Sequence, residues 1–196
     1  MKTGRERYRL EISGTVQGVG FRPFVHRLAD ELKLAGWAGN ARSGLVVEIE
    51  GTGDSCADFL RRLRSDAPPH ASVRDIAATP LPLQGGDAFL IRESTTGETS
   101  AAGEIAPDLA PCDACLKEIF DPANRRHAYP FTHCTECGPR YSIVLTLPYD
   151  RERTTMRGFP MCPACREEYE SPTDRRFHAQ PNACPDCGPQ LEFADV

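Results

Sequence analysis

Eight of the nine cysteines form four Cys-x-x-Cys pairs: Cys112/Cys115, Cys134/Cys137, Cys162/Cys165 and Cys184/Cys187, separated by 18, 24 and 18 residues. Two such pairs supply four thiolates, enough for one closed tetrahedral zinc site. The second half of the array also repeats the first at a shift of 50 residues: segments 112–140 and 162–190 agree at 11 of 29 positions without a gap. Besides the cysteines, the identities include Ala114/Ala164, Glu118/Glu168, Pro122/Pro172, Arg125/Arg175, Arg126/Arg176 and Gly138-Pro139/Gly188-Pro189. The pattern predicts two structural zinc ions bound by an internal duplication. Spacing does not decide whether neighbouring pairs share an ion or the repeats exchange pairs. Gly138 and Gly188, each after a second cysteine, are expected in a left-handed conformation that turns backbone N–H groups toward the thiolates.

Redox-active thiols are the competing reading, but a catalytic Cys-x-x-Cys belongs at a helix start in a thioredoxin-like context, which four duplicated pairs do not match. His127, His133 and His178 lie close by and are expected not to be ligands, because eight thiolates already fill two sites. No apolar run approaches the length of a membrane span, and the N-terminal MKTGRERYRLEISG lacks the apolar core of a signal peptide. The expected location is cytoplasmic, where thiols stay reduced and metal is favoured over disulfide. Residues 1–100 carry 13 basic and 13 acidic side chains and residues 101–196 carry 10 and 15, so the net charge of −5 lies entirely in the cysteine-rich half. Each four-thiolate site would add about −2. Nucleic-acid binders show the opposite sign, so no nucleic-acid partner is expected.

The first part has a different texture. Tyr8, Leu10 and Ile12 alternate as in a half-buried strand, and Phe21, Phe24, Val25, Leu28 and Leu32 share one helical face. A short apolar run around Trp37, a turn at Ala41-Arg42-Ser43-Gly44 and the strand Leu45–Ile49 follow. Cys56, Phe59, Leu60 and Leu63 return to helical spacing, with strand-like Val73–Ala77 and Phe89–Arg92 after them. The order β-α-β-β-α-β is the split, ferredoxin-like arrangement. The expected class is α+β: a ferredoxin-like βαββαβ domain over 5–94, a turn-rich linker over 95–111, and a small, irregular zinc-stabilised domain over 112–190. Cys56 is expected to be a core residue and His26 a helix-surface residue.

Between the first strand and the first helix lies GTVQGVGFR, Gly14 to Arg22. Its glycines let successive N–H groups converge at a helix N-terminus, and Arg22 can add a guanidinium clamp, which together make an anion cradle of phosphate size. No Gly-Lys-Ser/Thr follows, so it is not a Walker loop, and the third glycine of a dinucleotide fingerprint is missing.

With Gly36-Trp37, Asn40 and the strand GLVVEIEG, residues 8–50 resemble an acylphosphatase. The resemblance implies that Gln17, Gly18, Val19, Gly20 and Phe21 present backbone N–H groups to a phosphate held by Arg22. It further implies that Asn40 orients the attacking water. The phrases CTECGPRYSI, LPYDRERTTM and RRFHAQPNACPDCGP extend the likeness, and the chain over 5–190 resembles the N-terminal part of the HypF carbamoyltransferase family of [NiFe]-hydrogenase maturation. That resemblance implies carbamoyl phosphate as substrate, a HypE-type protein as partner, and ATP as a cofactor only of the complete enzyme. Because the sequence stops at Val196, a fragment lacking the ATP-using and transfer domains is expected. The alternative is a zinc-dependent protein-interaction module whose first domain is weak or inactive.

Overall fold

The computed structural model describes residues 4–94 and 103–194. The chain divides into two compact units: Met1–Ala106 together with Thr146–Asp150, and Pro107–Leu145 together with Arg151–Val196.

The first unit is built on β1 (Arg5–Thr15), α1 (Phe21–Glu31), β2 (Ala35–Ala41), β3 (Gly44–Thr52), α2 (Gly53–Ser65), β4 (Ser72–Pro80) and β5 (Phe89–Ile91). The sheet order is β4-β1-β3-β2-β5, so the ferredoxin-like four strands gain a short fifth, parallel to β2 through Gly36–Phe89, Trp37–Leu90 and Ala38–Ile91. The other neighbouring strands pair antiparallel. Alternation on β1 buries Leu10 and Ile12 on one face, where they meet Leu45, Val47 and Ile49 of β3. Phe21, Val25 and Leu28 of α1 and Phe59 and Leu63 of α2 cover that face. Each fully buried side chain of this size contributes about 1.5–3 kcal/mol. Cys56 is part of this core, with its thiol raised by burial. His26 is half-buried and sets its ring edge-on to Phe89, so it is not the free surface residue its spacing suggested.

The two helices begin differently. Thr52 caps α2 through its hydroxyl, which accepts from Ser55 N–H at 3.2 Å, and Asp54 lies in the first turn. The N-cap of α1 is the left-handed Gly20, with no side-chain cap and no acidic residue in the first turn. No acidic side chain of α1's own first turn offsets its helix dipole.

Of the stretch 95–111 expected as a linker, residues 95–102 lie outside those described. Gly103–Ala106 pack against the first unit: Gly103 N–H donates to Arg42 O at 2.7 Å, Thr15 donates to Glu104 at 2.8 Å, and Ala106 is buried.

The second unit has two eight-residue helices, α3 (Asp113–Phe120) and α4 (Pro163–Glu170), and two 3-10 turns at Arg151–Arg153 and Thr155–Gly158. Its apolar cluster is small, Tyr129, Met156 and Ala183 with Phe131, Ile143 and Phe159 around them. Buried arginines stand where a larger domain would place aliphatic residues: Arg126, Arg140, Arg151 and Arg176. No helix among the described residues is long and apolar enough to cross a membrane.

Candidate functional site

The loop from β1 to α1 turns on Gly18 and Gly20, with φ of 72° and 73°. Upstream, Gly14 sits at a bulge with φ of 118°, and a Cβ there would lie 2.0 Å from Ser72 O. The side chains of Val19 and Phe21 are buried in the core, so only their backbone can face a ligand. Gln17 contributes its side chain as well: its amide donates to Ala41 O and Gly44 O at 2.7 and 2.8 Å, tying the loop to the β2–β3 turn. The acylphosphatase resemblance implies only a backbone role for Gln17.

Arg22 in the first turn of α1 and Asn40 near the end of β2 are both buried. They converge on one atom, the Tyr149 carbonyl, which accepts from Asn40 Nδ2 at 3.1 Å and Arg22 Nη2 at 3.4 Å. Arg22 Nη1 also pairs with Asp150 at 2.9 Å. Tyr149 N–H donates to Gln17 Oε1 at 2.7 Å. Asn40 Oδ1 is buried and without a protein partner. A buried amide oxygen left unpaired costs about 1–3 kcal/mol, so this acceptor stands ready for a water or ligand donor.

The eight paired cysteines form two clusters, Cys112, Cys115, Cys134, Cys137 and Cys162, Cys165, Cys184, Cys187. Each repeat thus gathers its own two pairs. Sulfur–sulfur distances are 3.4–3.8 Å in the first cluster and 3.7–3.8 Å in the second. Thiolates about 2.3 Å from a central zinc have tetrahedral edges of about 3.8 Å, whereas a disulfide needs about 2.05 Å. The donor set and spacing therefore fit zinc, with every position filled by sulfur. Cys112 and Cys162 are the N-caps of α3 and α4, whose dipoles favour thiolate. Both metal-ligand groups among the described residues consist of cysteine alone. His127 is exposed, His178 half-buried, and burial with Arg140 nearby pushes His133 down to about 4, leaving it neutral.

Gly138 has the expected left-handed φ of 91°, but Gly188 does not. There the requirement is space: a Cβ would lie 2.1 Å from Tyr129 Oη and 2.6 Å from Ala183 Cβ.

The repeats are cross-braced. Arg126 of the first donates two-pronged to Glu168 of the second at 2.8 and 2.6 Å, and through Nε to Ala183 O at 3.0 Å. Arg176 of the second pairs with Glu118 of the first, and through Nε with His133 O at 3.0 Å. Arg125 reaches Cys165 Sγ at 3.4 Å, and Arg175 reaches Cys115 Sγ. Burial alone would raise the Glu168 carboxyl, but Arg126 and Arg125 outweigh it and bring it down to about 2. The identities at 118/168, 125/175 and 126/176 are therefore reciprocal contacts that set guanidinium charge against the thiolates of the opposite repeat.

A ferredoxin-like sheet with this glycine loop, buried Arg22 and Asn40 places the first unit among acylphosphatase-type domains, and the acylphosphatase family model matches residues 8–91. The family model described as the HypF finger matches residues 112–144 and 161–194. The chain belongs to the HypF carbamoyltransferase family, matching its N-terminal acylphosphatase and finger regions. A carbamoyltransferase HypF from Synechocystis is 52% identical over 150 residues, covering 76% of this chain and 19% of that protein. An acylphosphatase from Synechococcus is 42% identical over 89 residues, which is 45% of this chain and 98% of that protein. A crystal structure of full-length HypF in the phosphate- and nucleotide-bound form superposes with a TM-score of 0.91 at 42% identity, over 97% of this chain and 25% of that one. The chain thus spans about a fifth of the length of the curated HypF relatives it matches.

Proposed function

We propose that the first unit hydrolyses an acyl phosphate, with carbamoyl phosphate as the substrate, and that the second is a zinc-built structural module. The observation that carries this reading is the convergence of Arg22 and Asn40, both buried, beside a glycine loop at an uncapped helix N-terminus. The phosphoryl oxygens would lie on the loop N–H groups of Gln17 to Phe21 and on the Arg22 guanidinium. Asn40 Oδ1 would accept from the attacking water and set its line to phosphorus. The water oxygen forms the new P–O bond as the bond to the acyl oxygen breaks. Carbamate leaves with that electron pair, and the water protons stay with the phosphate. An acyl phosphate already carries a good leaving group, so charge stabilisation and water placement suffice.

Two zinc ions, one on Cys112, Cys115, Cys134 and Cys137 and one on Cys162, Cys165, Cys184 and Cys187, would supply folding energy. ATP-dependent transfer of the carbamoyl group to a HypE-type partner would belong to the remainder of a complete carbamoyltransferase.

Phosphate release from carbamoyl phosphate by the wild type and Arg22→Ala tests the hydrolase. The variant should lose about 10²–10³-fold in rate, the scale of removing one transition-state donor. Equal turnover by the two proteins overturns it. A second reading, a protein-docking module with a weak first unit, is favoured by exposed Leu116 and Phe120 on α3. It requires an inactive wild type that still binds HypE.

A further inference from the structure

Residues 146–150 lie between the two finger matches and far beyond the acylphosphatase match. They nevertheless belong to the first compact unit. Pro148 and Tyr149 are buried, and Asp150 is half-buried. We propose that Asp150 is a positioning residue of the acyl phosphate site, acting by holding the Arg22 guanidinium in its phosphate-binding orientation. The inference rests on the hydrolase reading above.

Arginine carries about 2 kcal/mol of rotamer entropy, and a buried guanidinium needs partners for its donors. Asp150 Oδ1 at 2.9 Å from Nη1 and Tyr149 O at 3.4 Å from Nη2 supply two of them. The guanidinium has five N–H donors, so these two contacts leave others for phosphoryl oxygens. Gln17 is the strut: it binds Tyr149 N–H through Oε1 and the β2–β3 turn through Nε2, fixing the segment to the loop it serves. Asn40 donates to the same Tyr149 carbonyl. Two consecutive residues, Tyr149 and Asp150, thereby bring the phosphate clamp and the water-orienting amide to one backbone point.

The sign of one measurement separates positioning from simple electrostatics. A carboxylate beside an anion site repels the anion, so by Coulomb's law alone its removal tightens phosphate binding. If Asp150 positions Arg22, its removal loosens binding instead. The experiment titrates inorganic phosphate into the full chain by calorimetry, wild type against Asp150→Asn, and measures kcat and KM for carbamoyl phosphate. The expected result is a phosphate Kd and a KM each raised about tenfold, the scale of coupling between contacting charged groups, with partial recovery in Asp150→Glu. Tighter phosphate binding overturns the proposal and makes Asp150 a competing internal anion. A fall in kcat with Kd and KM unchanged also overturns it, since that is the signature of less folded protein. A wild type that binds phosphate without turnover sinks the hydrolase reading alone, because the Kd comparison still tests Asp150. A wild type that binds no phosphate overturns both.

Discussion

Gly138 and Gly188 hold the same place in the two repeats for different reasons, left-handed backbone at one and lack of room at the other. Gly188→Ala should cost about 1–3 kcal/mol by overpacking. Because the first atom met is the Tyr129 hydroxyl, Tyr129→Phe should recover part of that loss, though not the contact with Ala183 Cβ. Denaturant midpoints of the two single variants and the pair check this, and strictly additive losses would show that the hydroxyl is not the obstacle. The left-handed backbone expected of both glycines is present at Gly138 and absent at Gly188, because sequence identity in a repeat does not fix the φ angle behind it. Arg22 and Asn40 stood out as candidates because the loop and the second strand carry a family pattern, and both are buried against one carbonyl. Asp150 did not stand out: it lies 128 positions from Arg22, and nothing local in Leu147-Pro148-Tyr149-Asp150 signals an anion site.

Elements show the same division. Strand alternation and helical spacing marked β1, α1, β3 and α2, because one face of each meets a single apolar core. The short β5 was marked too, as the strand-like run Phe89–Arg92, although only Phe89 of it is buried. In the second unit the duplication was plain, but an identity repeated in both copies fits contacts within a repeat as well as contacts between repeats. The reciprocal Arg–Glu pairs settle it: α4 is braced by Arg126 and α3 by Arg176, each from the other repeat. Breaking one partner of a buried pair costs about 3–5 kcal/mol. Arg126→Ala in the first repeat should therefore loosen zinc at the second site, whose ligand Cys165 that arginine faces at 3.6 Å. Zinc content should fall from two ions per chain toward one or fewer, and the remaining metal should pass faster to a colorimetric chelator. Two ions retained with unchanged release kinetics would mean that the repeats hold their metals independently.

At the scale of the whole molecule the chain does not finish one unit before starting the next. It leaves the second unit at Leu145, contributes Thr146–Asp150 to the first, and re-enters the second at Arg151. Ordering five residues costs about 1–2 kcal/mol each in backbone entropy. Against that stand four polar contacts, those of Gln17, Asn40 and Arg22 with Tyr149 and of Arg22 with Asp150, worth about 1 kcal/mol apiece, and the burial of one tyrosine, worth about 2–3. These terms nearly cancel, so the segment would rely on the chain at its two ends, which the proposed zinc sites would order, to hold its place. Removing zinc should accordingly act on the phosphate site without touching it. A chelator should melt the finger unit, leave the sheet of the first unit folded around its own core, and raise KM for carbamoyl phosphate about as far as Asp150→Asn does. Circular dichroism and kinetics on one chelated sample read both effects. An unchanged KM after complete zinc loss would show that the segment is anchored by its own contacts, and the structural metal would then have no part in the chemistry.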